Sequence, residues 1–192
     1  MIAICKRTLR ACFHTPIGGI FAAALLLVSG VLAYIYSFSG GLSCLEYVLL
    51  GAQYALLVLI PFLVIAMRVI ERRGREDLLL GTLPLSPAAV VLGRYFAHVA
   101  VFALPCAVLA LYPLICSLYG KINYAGAYAA LASFFLLGCF LVAVCRFIVT
   151  VCRRVWLAAI LCVVAVLLLY FLPTLADLIP AAPVASLIAL AA

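Results

Sequence analysis

Five long runs of apolar residues determine what this chain can fold into. They cover residues 17–38, 47–67, 88–118, 124–144 and 155–172. Because a helix rises about 1.5 Å per residue, about 20 residues cross the 30 Å of hydrocarbon in a bilayer. The chain is 71% hydrophobic and 9% charged, whereas a soluble domain is about half apolar and about a quarter charged. The sequence therefore predicts an all-α polytopic membrane protein, with five transmembrane helices in a single domain, 1–192.

Proline marks several boundaries of these runs. Thr15-Pro16 and Ser86-Pro87 each combine a hydroxyl N-cap with proline at the first helical position. A helix from Ser86 to the end of the third run would measure about 48 Å, so its first turns are expected to project from the hydrocarbon. Pro113 is expected to bend this helix. Pro173 is predicted to end the fifth span, which leaves 173–192 outside the cell or at the start of a further span.

Two more prolines are expected to distort the spans that contain them. Pro61 lies in the second run and Pro105 in the third. Proline removes one backbone hydrogen bond and its ring crowds the preceding turn, so both positions are predicted to be kinks.

The basic residues are distributed very unevenly about the predicted spans. If the five spans alternate, eleven of the twelve Lys and Arg residues fall on one side and only Lys121 on the other. The eleven are Lys6, Arg7, Arg10, Arg68, Arg72, Arg73, Arg75, Arg94, Arg146, Arg153 and Arg154. The positive-inside rule then places the N-terminus and the connection between spans two and three in the cytoplasm. The membrane that the chain spans is expected to be the cell inner (plasma) membrane. Membrane lipid rather than nucleic acid is the expected partner of these charges, because they sit at span ends and not on a continuous soluble face.

Residues 1–15 have the pattern of an amphipathic helix. Apolar residues at helical spacing occupy one side, and Lys6, Arg7, Arg10 and His14 occupy the other. Such a helix is suited to lie in the headgroup plane. The alternative is the basic region of a secretory signal peptide, but the following apolar run is too long and lacks a convincing cleavage site.

The residues that carry catalysis or bind metals form no recognisable set. The sequence has no HExxH, GxSxG or Walker A motif and no paired carboxylates within a span. Its nine cysteines include no CxxC pair and no His/Cys spacing suited to zinc. His98 is interpreted as a helix-packing or interfacial histidine, and alone it cannot form a proton relay. We therefore predict no catalytic, cofactor or metal site in this chain.

The connection at 68–86 is the one long polar segment. Its residues Glu71 to Asp77, ERRGRED, include no apolar side chain. Opposite charges at i,i+4, Glu71 with Arg75 and Arg73 with Asp77, favour a short helix. Leucines at 78–80 add an apolar edge. Two interpretations remain open: a solvated amphipathic linker, or a helix that docks into a partner's groove.

The two predicted cytoplasmic segments together resemble a known family. The matching residues of the connection are Met67-Arg68, Glu71, Gly74, Asp77 to Leu80, Pro84 to Ser86 and Val91 to Tyr95, and those of the N-terminus are Lys6-Arg7, Leu9-Arg10, Phe13 and Pro16 to Gly18. This order resembles the type-2 ABC transporter permeases, most closely the gliding-motility-type branch. The number of spans also agrees through the fifth helix.

The resemblance implies a six-helix permease subunit of an ABC exporter. Such a subunit pairs with a second permease, identical or different, and with two cytoplasmic ATPase subunits that bind ATP and Mg²⁺. The chain itself would then be no enzyme and would bind no cofactor. The connection would be the coupling helix that docks on the ATPase, through Arg68, Glu71, Arg72, Arg73, Gly74, Asp77 and Leu78. The N-terminal segment, with Lys6, Arg7 and Arg10, would be the connecting helix packed beside it.

The sequence departs from this family in several places. Thr8 stands where the family has glutamate, Arg75 where it has threonine, and Asp77 where it has glutamate. The sequence contains no counterpart of the family's sixth span. This is expected if the chain is a fragment or a reduced relative of the family. A non-transporting scaffold or assembly factor that docks another cytoplasmic partner is the alternative function. A channel would need a polar lining that these spans lack.

Overall fold

The computed structural model describes residues 8–9, 12, 16–35, 45–73, 87–116, 124–152 and 154–178. Their helices are α1 (Pro16–Ala33), α2 (Leu45–Arg73), α3 (Pro87–Leu109), α4 (Tyr112–Cys116), α5 (Tyr124–Val151) and α6 (Val155–Leu178). No strand occurs in these ranges. The prediction of an all-α fold is confirmed for the part of the chain that they cover.

Four segments are long and apolar enough to cross a membrane, and a fifth is shorter. The four are Pro16–Ala33, Tyr47–Arg72, Val90–Leu114 and Tyr124–Val151, and the shorter apolar helix is Val155–Phe171. Large apolar side chains cover the outside of the bundle: Val58 is 72% exposed and Phe147 is 71% exposed. Apolar surface of this extent marks a face that meets membrane or protein. The architecture is that of a multi-pass membrane protein.

Helix α5 is the centre of the bundle. It packs against α2, α3 and α6, and α2 also packs along α1. Near the middle of the core the Phe102 ring of α3 lies 6.4 Å from that of Phe21 on α1 and stacks on Phe135 of α5 at 5.7 Å, measured between centroids. Gly138 of α5 lies against the same ring, and a Cβ at this position would overlap it. The absence of a side chain at Gly138 therefore allows α3 and α5 to approach closely.

Helix α2 extends further than the sequence predicted. It runs without interruption from Leu45 through Pro61 to Arg73, whereas we expected a span ending at 67 and a separate coupling helix in 68–86. Neighbouring helices allow a span to tolerate proline, because they re-satisfy the backbone groups that it frees. Arg68 to Arg73 thus form the last turns of the span, and residues 74–86 of the predicted connection lie outside the described ranges.

The predicted third span is divided into two helices. Helix α3 ends at Leu109 and α4 begins at Tyr112, so the helix predicted for 88–118 is interrupted at residues 110–111, although Val90–Leu114 as a whole is long and apolar enough to be one span. The Leu111 amide donates to the Val108 carbonyl, three residues back, at 3.1 Å. Pro113 has no amide hydrogen to donate to the Leu109 carbonyl, and its ring crowds that turn. Pro105 by contrast lies within α3.

The fourth and fifth spans also end later than predicted. Helix α5 continues past 144 to Val151, so Arg146, which lies beyond the end of the predicted span, is inside the helix. Inside the bundle its charge meets a carboxylate, as described below. Helix α6 continues past Pro173, where we expected it to end, to Leu178. Proline costs a helix one hydrogen bond and some crowding, and here the helix accommodates both.

Of the predicted N-terminal helix, the structure describes Thr8, Leu9 and Cys12, and all three are helical. Leu9 packs against the core and Cys12 is fully buried, in agreement with the apolar side predicted for them. A Cβ on Gly18 would stand 2.8 Å from the Cys12 carbonyl oxygen, so this close approach requires glycine. Lys6, Arg7 and Arg10 lie outside the described residues, and their position in a headgroup plane stays a prediction.

A buried carboxylate and three arginines as the candidate functional site

Three helices bring charged side chains together at one end of the bundle. Glu71 lies near the end of α2, Arg94 near the start of α3 and Arg146 near the end of α5. The Glu71 carboxylate lies 3.4 Å from Arg94 Nη1, 3.8 Å from Arg146 Nη1 and, within α2, 3.6 Å from Arg68 Nη1. We call these four residues the arginine cluster.

The arginine cluster is shielded from solvent. The side chain of Glu71 is 3% exposed, that of Arg146 is 4% exposed and that of Arg94 is 9% exposed. All three contact distances exceed the 2.7–2.9 Å typical of a charge-assisted hydrogen bond. Within the described part of the chain, neither oxygen of Glu71 accepts a hydrogen bond. The cluster is therefore held by the attraction of opposite charges in a medium of low dielectric constant, where that attraction is strong.

The cluster shows which helix ends are neighbours. The C-terminal turns of α2 and α5 and the first turns of α3 meet at Glu71. This agrees with the predicted grouping of Arg68, Arg94 and Arg146 on one side of the bundle. Which side of a membrane they face stays a prediction.

His98 lies one turn beyond Arg94 on α3 and is completely buried. Its Nδ1 atom lies 2.6 Å from the Arg94 carbonyl oxygen. Because a carbonyl oxygen can only accept, Nδ1 carries the hydrogen and donates it. This intrahelical bond agrees with the interpretation of His98 as a packing residue, and it orients the histidine ring next to the cluster.

The N-terminal segment also reaches the surroundings of the cluster. Cys12 Sγ lies 3.6 Å from the sulfur of Met67, one turn before Glu71 on α2. Burial, and secondarily the Glu71 carboxylate, raise the pKa of the Cys12 thiol from its ordinary value of 9.0 to about 12. The thiol is therefore protonated at neutral pH, and an uncharged side chain fills this part of the core.

An open groove lies beside the cluster, between α3 and α5. Its volume is about 670 Å³. The residues that line it are Ala88, Val91, Leu92 and Tyr95 of α3 and Ala143, Arg146, Phe147, Thr150 and Val151 of α5. Arg146 is the one charged residue among them. We call this feature the α3–α5 groove.

The predicted docking residues fall into three groups. Arg68 and Glu71 belong to the arginine cluster, and the Glu71 side chain faces its own chain. Arg72 is exposed on the same turn. The Arg73 side chain and the residues Gly74, Asp77 and Leu78 lie outside the described part of the structure.

No pattern in the sequence assigned Arg94 and Arg146 to a site. The available signal was the position of Arg94 inside the run 88–118, since ionisable residues within spans are rare and usually have a partner. Arg146 lies just beyond the predicted span 124–144 and gave no such signal. The one acidic residue near the end of the second run, Glu71, was the candidate partner. Among the described residues no group of three His, Cys, Asp or Glu side chains could hold a metal ion.

Fold and site together define a multi-pass helical membrane protein with a buried charge cluster at one end of its bundle. Comparison with known protein families, with characterised proteins and with solved structures finds no match. The resemblance to the type-2 ABC permeases is therefore carried by the residues quoted above alone.

Proposed function

We propose that this chain is the membrane-spanning permease subunit of an ABC exporter. It would move substrate across the plasma membrane with energy from ATP hydrolysed on a separate cytoplasmic subunit, and it would pair with a second permease. The observation that supports this proposal is the position of Glu71. The residue at the entrance to the polar connection is tied by ion pairs to two other helices, α3 and α5.

This arrangement suits the transmission of a movement from a cytoplasmic partner to the helices of the bundle. In the sequence, residues 74–86 join the end of α2 to the start of α3. A partner that displaces the connection moves the end of α2, and Glu71 carries the movement to Arg94 and Arg146. Because α5 packs against α2, α3 and α6, the displacement reaches most of the bundle. A solvated linker would need no buried ion pairs at its entrance.

The residues predicted to dock on the ATPase include both exposed and buried side chains, and we propose different roles for the two. Arg72 is exposed and can contact a partner directly. Gly74, Asp77 and Leu78 are proposed to lie further along the same docking segment, beside a connecting helix that carries Lys6, Arg7 and Arg10. Glu71 is 3% exposed, so we assign it the role of holding the docking segment to the bundle.

A scaffold or assembly factor is the second candidate, because a docking segment of this kind would serve it equally well. Affinity purification of the tagged full chain from its native membrane separates the two. The transporter proposal expects an ATPase with a Walker A motif to co-purify, and Asp77→Lys to abolish its recovery while membrane insertion is retained. Lys121→Glu, on the opposite predicted side, is the matched charge-reversal control. Recovery of a partner without a nucleotide-binding domain would favour the scaffold, and normal ATPase recovery with Asp77→Lys would contradict the docking role.

A further inference from the structure

The α3–α5 groove opens on the outer surface of the bundle. Leu92 on one wall is 45% exposed, and Phe147 on the other is 71% exposed. In a chain that spans a membrane, surface of this kind faces the acyl chains of lipids. The groove lies at the end of the bundle that carries the arginine cluster, where the headgroup region is expected.

Arg146 forms part of the groove wall and has unused capacity to bind an anion. Within the described part of the chain, its Nε and Nη1 atoms are buried and donate no hydrogen bond. Its contact with Glu71, at 3.8 Å, is the longest of the three ion pairs in the cluster. A guanidinium offers five N–H donors, and a buried donor without an acceptor is costly.

Glu71 does not depend on Arg146 alone. Arg94 and Arg68 lie nearer to the carboxylate, at 3.4 Å and 3.6 Å. If Arg146 turns from Glu71 toward the groove, the carboxylate retains two cationic neighbours. The side chain of Arg146 can therefore bind a second anion without leaving Glu71 as an isolated buried charge.

We propose that the α3–α5 groove binds an anionic phospholipid. Its phosphate accepts hydrogen bonds from Arg146, and an acyl chain lies between Leu92 and Phe147. Basic pockets between transmembrane helices on the cytoplasmic side are known to accept anionic headgroups. The largely apolar walls favour a lipid over a free phosphate ion. The two hydroxyls in the lining, those of Tyr95 and Thr150, already donate to backbone carbonyl oxygens, so the guanidinium is the main donor that a small ion would find. The proposal is independent of any transport activity.

The test measures lipids retained by the purified full chain in native mass spectrometry. Phosphatidylglycerol, with a net negative headgroup, is compared with phosphatidylcholine, whose headgroup has no net charge. One basic residue is worth about a fivefold preference for anionic lipid, so we expect phosphatidylglycerol to bind about fivefold more tightly. Arg146→Gln should remove this preference. Arg154→Gln, an exposed arginine that does not line the groove, should retain it.

A second variant keeps the test decisive if Arg146→Gln does not fold. Leu92→Trp places a larger side chain in the groove from a partly exposed position, and it should reduce phosphatidylglycerol binding to the level of phosphatidylcholine. Unchanged binding in Leu92→Trp would overturn the proposal, because the lipid would then be bound outside the groove. Equal binding of the two lipids, or a preference that survives Arg146→Gln, would overturn it too. Displacement of the lipid by excess inorganic phosphate would indicate a site for free anions instead.

Discussion

Arg94 Nη1 lies 3.4 Å from Glu71 Oε2 and joins the first turns of α3 to the last turns of α2. The two residues stand on either side of the polar connection, 23 positions apart in the sequence. Their side chains are 9% and 3% exposed. The two helix ends that flank the connection in the sequence are therefore held next to each other.

Removing the charge of Glu71 should destabilise the bundle. Glu71→Gln removes the carboxylate that faces Arg94 and Arg146, and loss of one partner of a buried ion pair costs about 3–5 kcal/mol. Arg72→Gln, one position further and exposed, should change the stability little, since exposed charges contribute about 0–1 kcal/mol. Thermal unfolding of the detergent-solubilised chain, followed with a thiol-reactive dye that reports buried cysteines, measures both. Equal midpoints for the two variants would contradict the role given to the arginine cluster.

Adding a single methyl group at Gly138 should disturb the contact of α3 with α5. A Cβ there overlaps the Phe102 ring, whereas a Cβ at Gly19 meets no heavy atom within 4 Å. Gly138→Ala should cost about 1–3 kcal/mol by overpacking, and Gly19→Ala should be neutral or slightly stabilising. The same thermal assay compares the two variants. Combining Gly138→Ala with Phe102→Leu should recover part of the loss, and the absence of any recovery would mean that the ring is not the obstacle.

The distribution of Lys and Arg predicts the orientation of the chain. Alkaline phosphatase, which is active only outside the cytoplasm, should be inactive when fused after Gly74 and active when fused after Gly120. The physical reason is the resistance of Lys- and Arg-rich connections to translocation. Activity at Gly74 would reverse the topology and would remove the proposed docking segment from contact with an ATPase.

The apolar runs were sufficient to predict the helices and the general architecture, because backbone groups within a bilayer must bond internally. The helix ends could not be predicted to the residue. Arg146 was expected beyond the end of a span, since a charge inside a span is costly, yet Glu71 offsets that cost from another helix. The distances that join Glu71 to Arg94 and Arg146 depend on how three helices pack, which periodicity along one helix does not encode. Similarly, α2 continues through Pro61 whereas a break precedes Pro113, so the presence of a proline does not by itself predict where a helix ends.

The buried Cys12 should react more slowly with alkylating reagents than the partly exposed Cys152. Its pKa is raised by burial, and secondarily by Glu71, from 9.0 to about 12, so at pH 8 its thiolate fraction is about a thousandfold lower than that of an unperturbed cysteine. The pKa of this thiol is higher in the folded state than in the unfolded state, so folding favours the protonated form. The resulting contribution to stability is complete below pH 9.0 and is lost as the pH rises toward about 12. Site-resolved mass spectrometry after maleimide treatment should show the partly exposed Cys152 modified well before Cys12, with the difference abolished in denaturing detergent. Rapid modification of Cys12 in the folded chain would mean that the N-terminal segment does not stay packed beside Met67.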